Sequence, residues 1–262
     1  MKRFYLSLIA VLACAGNLLA QTNVSPDATN AANAAVVTDG TNPVNTAVIP
    51  ELRRSPTNWV ARHEGFVAEA KQGGVDLLFL GDSITDFWRN RGSNVWNQYY
   101  APRHAANFGI SGDRTEHVLW RIDHGELDGI HPKVVVLMIG TNNTGKDRSG
   151  HPRNTVPEVV AGVQAVVRDI RAKLPDSKIL LLGIFPRGNF DDLQRAQVAL
   201  VNTVIARLDD GKMIRYLDIG SNFLEDDGTL PKSIMPDLLH PNPHGYEIWA
   251  QAMEPTLAEM MK

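Results

Sequence analysis

The sequence Asp76-Leu77-Leu78-Phe79-Leu80-Gly81-Asp82-Ser83-Ile84-Thr85 joins an apolar run to a glycine, an acid and a serine. The apolar run has the length and composition of a buried strand, and the polar residues after it indicate a turn into a helix. Open α/β sheets place their reacting groups at the carboxyl ends of strands, where the next helix begins. The stretch therefore predicts a parallel α/β sheet with Ser83 at its functional edge.

Apolar and amphipathic segments alternate along the rest of the chain. The run Val134–Ile139 is apolar throughout, as expected for a strand that is covered on both faces. The alternation predicts a three-layer α/β/α sandwich with a five-stranded, mainly parallel sheet. The predicted strands are Asp76–Leu80, Ala105–Phe108, Val134–Ile139, Lys178–Ile184 and Ile214–Leu217, and the predicted helices are a short one from Thr85, Ser93–Tyr99, Arg114–Asp123, Pro157–Lys173, Asp191–Leu208 and His244–Met260.

The composition is that of a globular protein with a sizeable core. Of the 262 residues, 44% are hydrophobic and 21% are charged, and the formal net charge is −3. Lysine and arginine form no dense cluster, which argues against nucleic acid or an anionic membrane surface as a partner. The only cysteine is Cys14, so the folded domain has no internal disulfide.

The N-terminus has the pattern of an export signal. Lys2 and Arg3 precede an apolar stretch that is too short for a stable membrane span, and small residues follow it. We expect a signal peptide over 1–20, a flexible polar linker over 21–57 and one domain over 58–262. The expected location is periplasmic or extracellular, with a lipid anchor on Cys14 as the minor alternative.

A serine, an acid and a histidine of the chain have the chemistry of an acyl-transfer site. A neutral serine hydroxyl is a poor nucleophile and needs a base within hydrogen-bond reach. His240 can be that base, and Asp237, three residues earlier, can orient its imidazole. The attacked carbonyl becomes an oxyanion, which the N–H groups of Ser83 and Gly112 and the amide of Asn142 can receive.

Two further motifs of the chain fit their usual functions poorly. Gly140–Lys146 has the spacing of a phosphate-binding loop, but Asp147 stands where a Ser or Thr would hold magnesium. His240 and His244 are spaced like metal ligands, yet two intervening prolines prevent the helix that would align them, so we expect no metal and no cofactor. We expect Asp82 to cap a helix. For Arg187 we expect a structural ion pair, with substrate binding as the alternative.

The chain resembles the SGNH (GDSL-like) hydrolase family, whose sequence blocks occur here in order. Within that family it is most similar to the catalytic subunits of the type I platelet-activating-factor acetylhydrolase. The blocks that carry the resemblance are Gly81-Asp82-Ser83, Asn107 to Thr115, Gly140-Thr141-Asn142-Asn143 and Asp237-Leu238-Leu239-His240-Pro241, joined by His117–Arg121, Gly125–Leu127, Pro132–Val134 and Pro186–Gly188.

The resemblance implies a flavodoxin-like sheet and a short-acyl esterase that works without a metal. It assigns Ser83 as nucleophile, His240 as base and Asp237 as its orienter, with Ser83, Gly112 and Asn142 as the oxyanion hole. Asn143 departs from the usual aspartate of its block, as it does in the acetylhydrolase branch. The export signal has no counterpart in those intracellular subunits, which favours an acetylated carbohydrate or another extracellular ester as the small-molecule or glycan substrate.

Two alternatives and one assembly question stay open at this point. A thioesterase or lysophospholipase would use the same site with a longer acyl pocket, and an inactive exported binding module would keep the fold without the activity. The resembling subunits pair, so a homodimer is also open.

Overall fold

The computed structural model describes residues 44–54, 58–147 and 149–262, and these residues contain five strands and seven α-helices. The predicted signal peptide and most of the predicted linker lie outside the described residues. The strands are β1 (Leu77–Gly81), β2 (Ala105–Gly109), β3 (Val134–Met138), β4 (Lys178–Leu182) and β5 (Ile214–Leu217), and the helices are α1 (Trp59–Gln72), α2 (Ser83–Asp86), α3 (Ser93–Tyr99), α4 (Thr115–Asp123), α5 (Val156–Lys173), α6 (Leu193–Ile205) and α7 (Pro243–Met260).

The five strands form one sheet in the order β2-β1-β3-β4-β5, and every neighbouring pair is parallel. This confirms the predicted α/β fold with a five-stranded parallel sheet. Chain order reverses between β1 and β3, which places a crevice for ligands at the carboxyl ends of those two strands.

Both faces of the sheet are covered because side chains of successive strand residues point in opposite directions. On β3, Val135 and Leu137 pack with residues of α1, α4, α5 and α6. The alternate residues Val134, Val136 and Met138 pack with residues of α3 and α7. The apolar run that predicted a doubly covered strand is therefore explained by two hydrophobic cores.

Helix α1 is absent from the predicted elements, although its sequence carries a helical stripe. Trp59, His63, Phe66 and Ala70 are its buried residues, at spacings of four, three and four. Gly65 and the charged residues between them dilute that pattern. The helical spacing of the apolar stripe is therefore apparent only from which residues of α1 are buried.

Residues 44–54 belong to the compact unit that runs from Val44 to Lys262, although we expected them to be part of the linker. They contain a 3-10 helix, Thr46–Val48, whose Ala47 is fully buried. Ala47 O accepts a 2.8 Å hydrogen bond from Thr115 Oγ1 at the start of α4, and the Glu51 N–H donates to Glu116 O. The polar composition of this segment predicted a linker. The segment makes these two hydrogen bonds through its own backbone groups, and amino-acid composition carries no information about such bonds.

Among the described residues, no helix combines the length and the apolar composition that crossing a bilayer requires.

Candidate active site

Ser83 is the first residue of α2, directly beyond the carboxyl end of β1. Asp82 caps that helix, as predicted, because its Oδ1 accepts the Ile84 N–H at 3.0 Å. Gly81 is required by space, since a Cβ there would collide with the Thr85 side chain and the Met138 carbonyl. The strand therefore ends in a tight turn that presents Ser83 at the switch point of the sheet.

His240 and Asp237 lie next to Ser83, on the loop that precedes α7. The Ser83 Oγ atom is 2.9 Å from His240 Nε2, and His240 Nδ1 is 2.6 Å from Asp237 Oδ2. The Asp237 carboxylate can only accept a hydrogen bond, so Nδ1 of His240 carries the ring proton. Nε2 is then unprotonated and can accept the hydroxyl proton of Ser83. The fold thus brings together a serine and a histidine that are separated by 157 positions of sequence.

The acidic member of this trio is held in its ionised form. Burial acts to raise the pKa of Asp237, but hydrogen bonds from the His240 ring and backbone and from the Leu239 N–H outweigh it, so the pKa is lowered. The Asp237 side chain is 49% exposed and that of His240 is 18% exposed. Exposure therefore increases from Ser83, which is 6% exposed, to Asp237 at the solvent side of the trio.

Leu238, between the acid and the histidine, adopts the left-handed backbone conformation with φ +57°. This conformation is rare for a residue with a branched side chain and needs support from its surroundings. The Gly188 N–H supplies that support by donating to Leu238 O at 2.8 Å. The segment after β4 therefore fixes the loop that carries the imidazole.

The loop after β2 brings Gly112 to the same edge of the sheet. Gly112 has φ +83°, a conformation that favours glycine. The flanking Ser111 donates both its N–H and its hydroxyl to Asp86 Oδ2, at 3.1 and 2.7 Å. Asn142, beyond β3, donates from Nδ2 to Asp113 O at 2.8 Å, which leaves its second amide hydrogen available. The hydrogen bond from Asn142 thus joins the loop after β3 to the loop after β2, which contains Gly112.

A buried ionic network lies behind this loop. Arg121 is fully buried and contacts the carboxylates of Asp113 and Glu126, at 3.0 and 2.6 Å, and it donates to Phe108 O at the end of β2. Burial raises the pKa of Asp113 to about 6, although Arg121, Trp59 and other donors oppose that rise. Such a network is costly to break, because removing one partner leaves a buried charge unpaired.

Asp82 is a second buried carboxyl with a raised pKa, and it stands next to Ser83. Burial is the main cause, with a contribution from the charge of Asp113, and the pKa reaches about 7 despite the Ile84 N–H and Arg187. Its Oδ2 atom has no hydrogen-bond partner among the described residues. At neutral pH this group is therefore poised between its two protonation states.

The prediction of an ion pair for Arg187 is wrong within the described part of the chain. No carboxylate oxygen of the described residues lies within 4.0 Å of its guanidinium, and Nη1 donates instead to the carbonyl and the hydroxyl of Thr141. Burial lowers the pKa of Arg187, while Asp192, Asp82 and Asp237 act in the opposite direction. Arg187 joins the segment after β4 to the segment after β3.

Asn143 has a structural reason to replace the aspartate that its block usually carries. It is fully buried, and its Nδ2 donates to Glu116 Oε2 at 2.9 Å. Its Oδ1 accepts the Thr115 N–H at the start of α4. A second carboxylate at this position would face Glu116 at hydrogen-bond distance, so the amide is the side chain that the site accepts.

The phosphate-loop motif and the histidine pair lack the geometry that those functions need. The segment Gly140–Lys146 is followed by α5 only at Val156, so among the described residues no helix begins directly after it to receive a phosphate. His240 and His244 contact different carboxylates, Asp237 and Glu247. Each histidine is therefore engaged separately.

Ligand atoms of Glu51, Glu116 and His117 lie close enough together to suggest a cation site. Arg114 contacts both glutamates, at 3.8 and 3.0 Å, so a positively charged side chain already lies among these ligand atoms. Burial and the neighbouring Arg114 lower the pKa of His117 to about 3, which keeps it neutral.

Two neighbours of the site were not predicted from the sequence. The ring of Phe87 packs on the His240 imidazole, with centroids 5.1 Å apart. Asp86 anchors Ser111 and also accepts from Arg62 and Arg89, both at 2.7 Å. Asp86 and Phe87 follow Ser83 by three and four positions, the spacing of neighbours on one helical face, which is the signal that could have found them. By contrast Trp88 is fully buried and serves packing.

The sequence and the fold are similar to those of known proteins. Residues 79–248 match the model of the GDSL-like Lipase/Acylhydrolase family. The chain is 39% identical over 183 residues to the platelet-activating factor acetylhydrolase IB subunit alpha2 of Gallus gallus, covering 70% of this chain and 76% of that one. It is 34% identical over 204 residues to the alpha1 subunit of Homo sapiens, covering 78% and 84%.

A GDSL-like lipase of known structure from Bacteroides thetaiotaomicron has the same fold, with a TM-score of 0.60 at 16% identity, over 78% of this chain and 97% of that one. The resemblance read from the sequence blocks is therefore confirmed, and the chain belongs to the GDSL-like lipase/acylhydrolase family of carboxylic ester hydrolases.

Proposed function

We propose that this protein is an exported serine esterase that hydrolyses short-chain esters, with acetyl as the preferred acyl group. The observation that carries the proposal is the chain of contacts from Ser83 Oγ to His240 Nε2 and from His240 Nδ1 to Asp237, at 2.9 and 2.6 Å. A serine, a base and an orienting acid in this geometry form an activated nucleophile.

The proposed reaction is a two-step acyl transfer. Ser83 Oγ bonds to the ester carbonyl carbon as His240 accepts its proton, and the carbonyl electrons move to the oxygen. The N–H groups of Ser83 and Gly112 and the amide of Asn142 receive that oxyanion. His240 then gives the proton to the leaving alcohol as the ester bond breaks, and water releases the acid from Ser83 by the same steps.

Two features support a short acyl group and an extracellular substrate. The acetylhydrolase subunits to which the chain is similar are named for removing acetyl. A glycan or another extracellular ester is the proposed source of the alcohol part of the substrate. Export rests on the pattern of residues 1–20 in the sequence, which favours an extracellular substrate of this kind.

Acyl-chain length and Ser83 provide the test. Purified protein should turn over 4-nitrophenyl acetate faster than the octanoate, and Ser83→Ala should abolish that turnover while its thermal unfolding stays that of the wild type. A preference for octanoate would favour the thioesterase or lysophospholipase alternative. Undiminished turnover by Ser83→Ala would refute the nucleophile, and a wild-type protein that neither hydrolyses esters nor reacts with an organophosphonate would favour a binding module.

A further inference from the structure

Arg53 lies near the end of the N-terminal segment 44–54 and contacts the loop that follows β2. The segment is anchored upstream by the buried Ala47 and by the hydrogen bond from the Glu51 N–H to Glu116 O. These contacts fix the path of the backbone along α4. The side chain of Arg53 is 21% exposed and reaches the loop after β2, 58 positions further along the chain.

The guanidinium of Arg53 grips the part of that loop that contains Gly112. Its Nη1 atom donates to Ser111 O at 2.6 Å and lies 3.2 Å from Asp113 Oδ1. A Cβ placed on Gly112 would lie 2.5 Å from Arg53 Nη2, so the guanidinium packs directly against this glycine. Among the described residues, Ser111 O accepts from no other donor.

The carbonyl of Ser111 and the N–H of Gly112 belong to the same peptide unit, which is planar and trans. Holding the carbonyl on one side therefore holds the N–H on the opposite side. Glycine at 112 makes this unit easy to rotate, because the φ angle of Gly112, about which the unit turns, is not restricted by a Cβ. Within the described residues the Gly112 N–H donates to no acceptor, as expected for a group kept free for a ligand.

A plain ion pair with Asp113 does not account for this arrangement. The Asp113 carboxylate already contacts Arg121 Nε at 3.0 Å and accepts from Trp59 Nε1 at 2.7 Å. Arg53, at 3.2 Å, is therefore one of several partners of that carboxylate. The shorter contact of Arg53 is to the Ser111 carbonyl, which is neutral and otherwise lacks a donor among the residues that the structure describes.

We propose that Arg53 is a positioning residue for the oxyanion hole: it fixes the Ser111–Gly112 peptide unit so that the Gly112 N–H faces the reacting carbonyl. This inference rests on the proposed esterase function. A charged donor on the carbonyl also polarises the peptide unit and strengthens its N–H as a donor. The oxyanion exists only in the transition state and the intermediate, so the contribution appears in kcat and leaves KM unchanged.

The magnitude follows from the donor that Arg53 controls. Losing one oxyanion donor costs about a hundredfold to a thousandfold in kcat. Without Arg53 the peptide unit still reaches the correct orientation part of the time, because Asp86 holds Ser111 from its other side. We therefore expect Arg53→Ala to lower kcat about tenfold to a hundredfold, with KM within about twofold of the wild-type value.

The experiment measures kcat and KM for 4-nitrophenyl acetate in Arg53→Ala, Arg53→Lys and the neighbouring control Arg54→Ala, which removes the same charge from an exposed position. Rates are expressed per reactive serine, counted from organophosphonate labelling, so that unfolded protein does not contribute. We expect partial recovery in Arg53→Lys, saturable recovery of Arg53→Ala by added methylguanidinium, and no change in Arg54→Ala.

Two results would overturn the inference. One is a kcat per reactive serine in Arg53→Ala that lies within about twofold of the wild-type value. The other is a loss that neither lysine nor methylguanidinium restores and that follows the fall in melting temperature. Both leave the proposed function intact if the wild type is active and Ser83→Ala is not, whereas an inactive wild type defeats the proposed function and this inference together.

Discussion

Asp237 offers the sharpest test of the proposed mechanism, because two substitutions at this position should differ in a direction that the geometry predicts. Asp237 Oδ1 accepts the N–H groups of His240 and Leu239, at 2.8 and 3.2 Å, and Oδ2 faces His240 Nδ1 at 2.6 Å. In Asp237→Asn we expect the amide oxygen to accept from the two backbone N–H groups. If the amide were flipped, its NH₂ group would face both of these N–H donors, which is unfavourable.

That orientation directs the new NH₂ group at His240 Nδ1. The nitrogen must then accept, which places the ring proton on Nε2, and an Nε2–H cannot take the proton of Ser83. We expect Asp237→Asn to lower kcat/KM about a thousandfold to ten-thousandfold, equivalent to about 4–5 kcal/mol of transition-state stabilisation.

Asp237→Ala should be less harmful than Asp237→Asn. The site is 49% exposed, so water can replace the carboxylate at Nδ1 and leave the imidazole free to adopt the productive tautomer. We expect a loss of about a hundredfold for the alanine variant. The assay is kcat/KM for a short chromogenic ester with both variants at the same pH, and with unfolding curves as the control for folding. Equal activities, or an asparagine variant that is the more active of the two, would refute the tautomer argument.

Two further predictions concern Asn142 and Asp82. Asn142→Ala should lower kcat about a hundredfold to a thousandfold with little change in KM, measured with the same ester, and a change of only a few-fold would demote its donor role. Asp82 has a pKa near 7 in the folded protein, above its ordinary value, so it binds its proton more tightly when folded and its ionisation reduces stability as pH rises. Asp82→Asn keeps the helix cap but cannot ionise. Between pH 5 and pH 8, the unfolding free energy of the wild type, measured in urea, should therefore decrease by about 3 kcal/mol more than that of the variant. Identical pH slopes for the two proteins would contradict the raised pKa.

The sheet was predictable because its signal is local. Each buried strand is a short apolar run, and the strands Val134–Met138 and Ile214–Leu217 begin and end within one residue of prediction. Helix α1 was missed for a reason that is also local: Gly65 and interspersed charges weaken its stripe, and only burial against β2 and α4 shows that Trp59, Phe66 and Ala70 form one face.

In the candidate site, too, some features were predictable from local sequence and others depend on contacts between distant segments. Its principal residues follow strands or sit before the last helix, where residue type and spacing alone named Ser83, His240 and Asp237. Sequence could not show that Arg187 bonds Thr141 instead of a carboxylate, because that choice depends on how the loops after β3 and β4 face each other.

The sequence by itself therefore determined the alternation of strands and helices, the family and the residue types that acyl transfer needs, since each of these is written in short stretches of chain. Only the tertiary structure decided which groups meet around the reacting serine. It placed Phe87 on the imidazole, and it carried Arg53 across to the Ser111 carbonyl from a segment whose polar composition predicts a linker. The physical reason is that such contacts join backbone and side-chain groups tens of positions apart, and their formation depends on packing that no local pattern records.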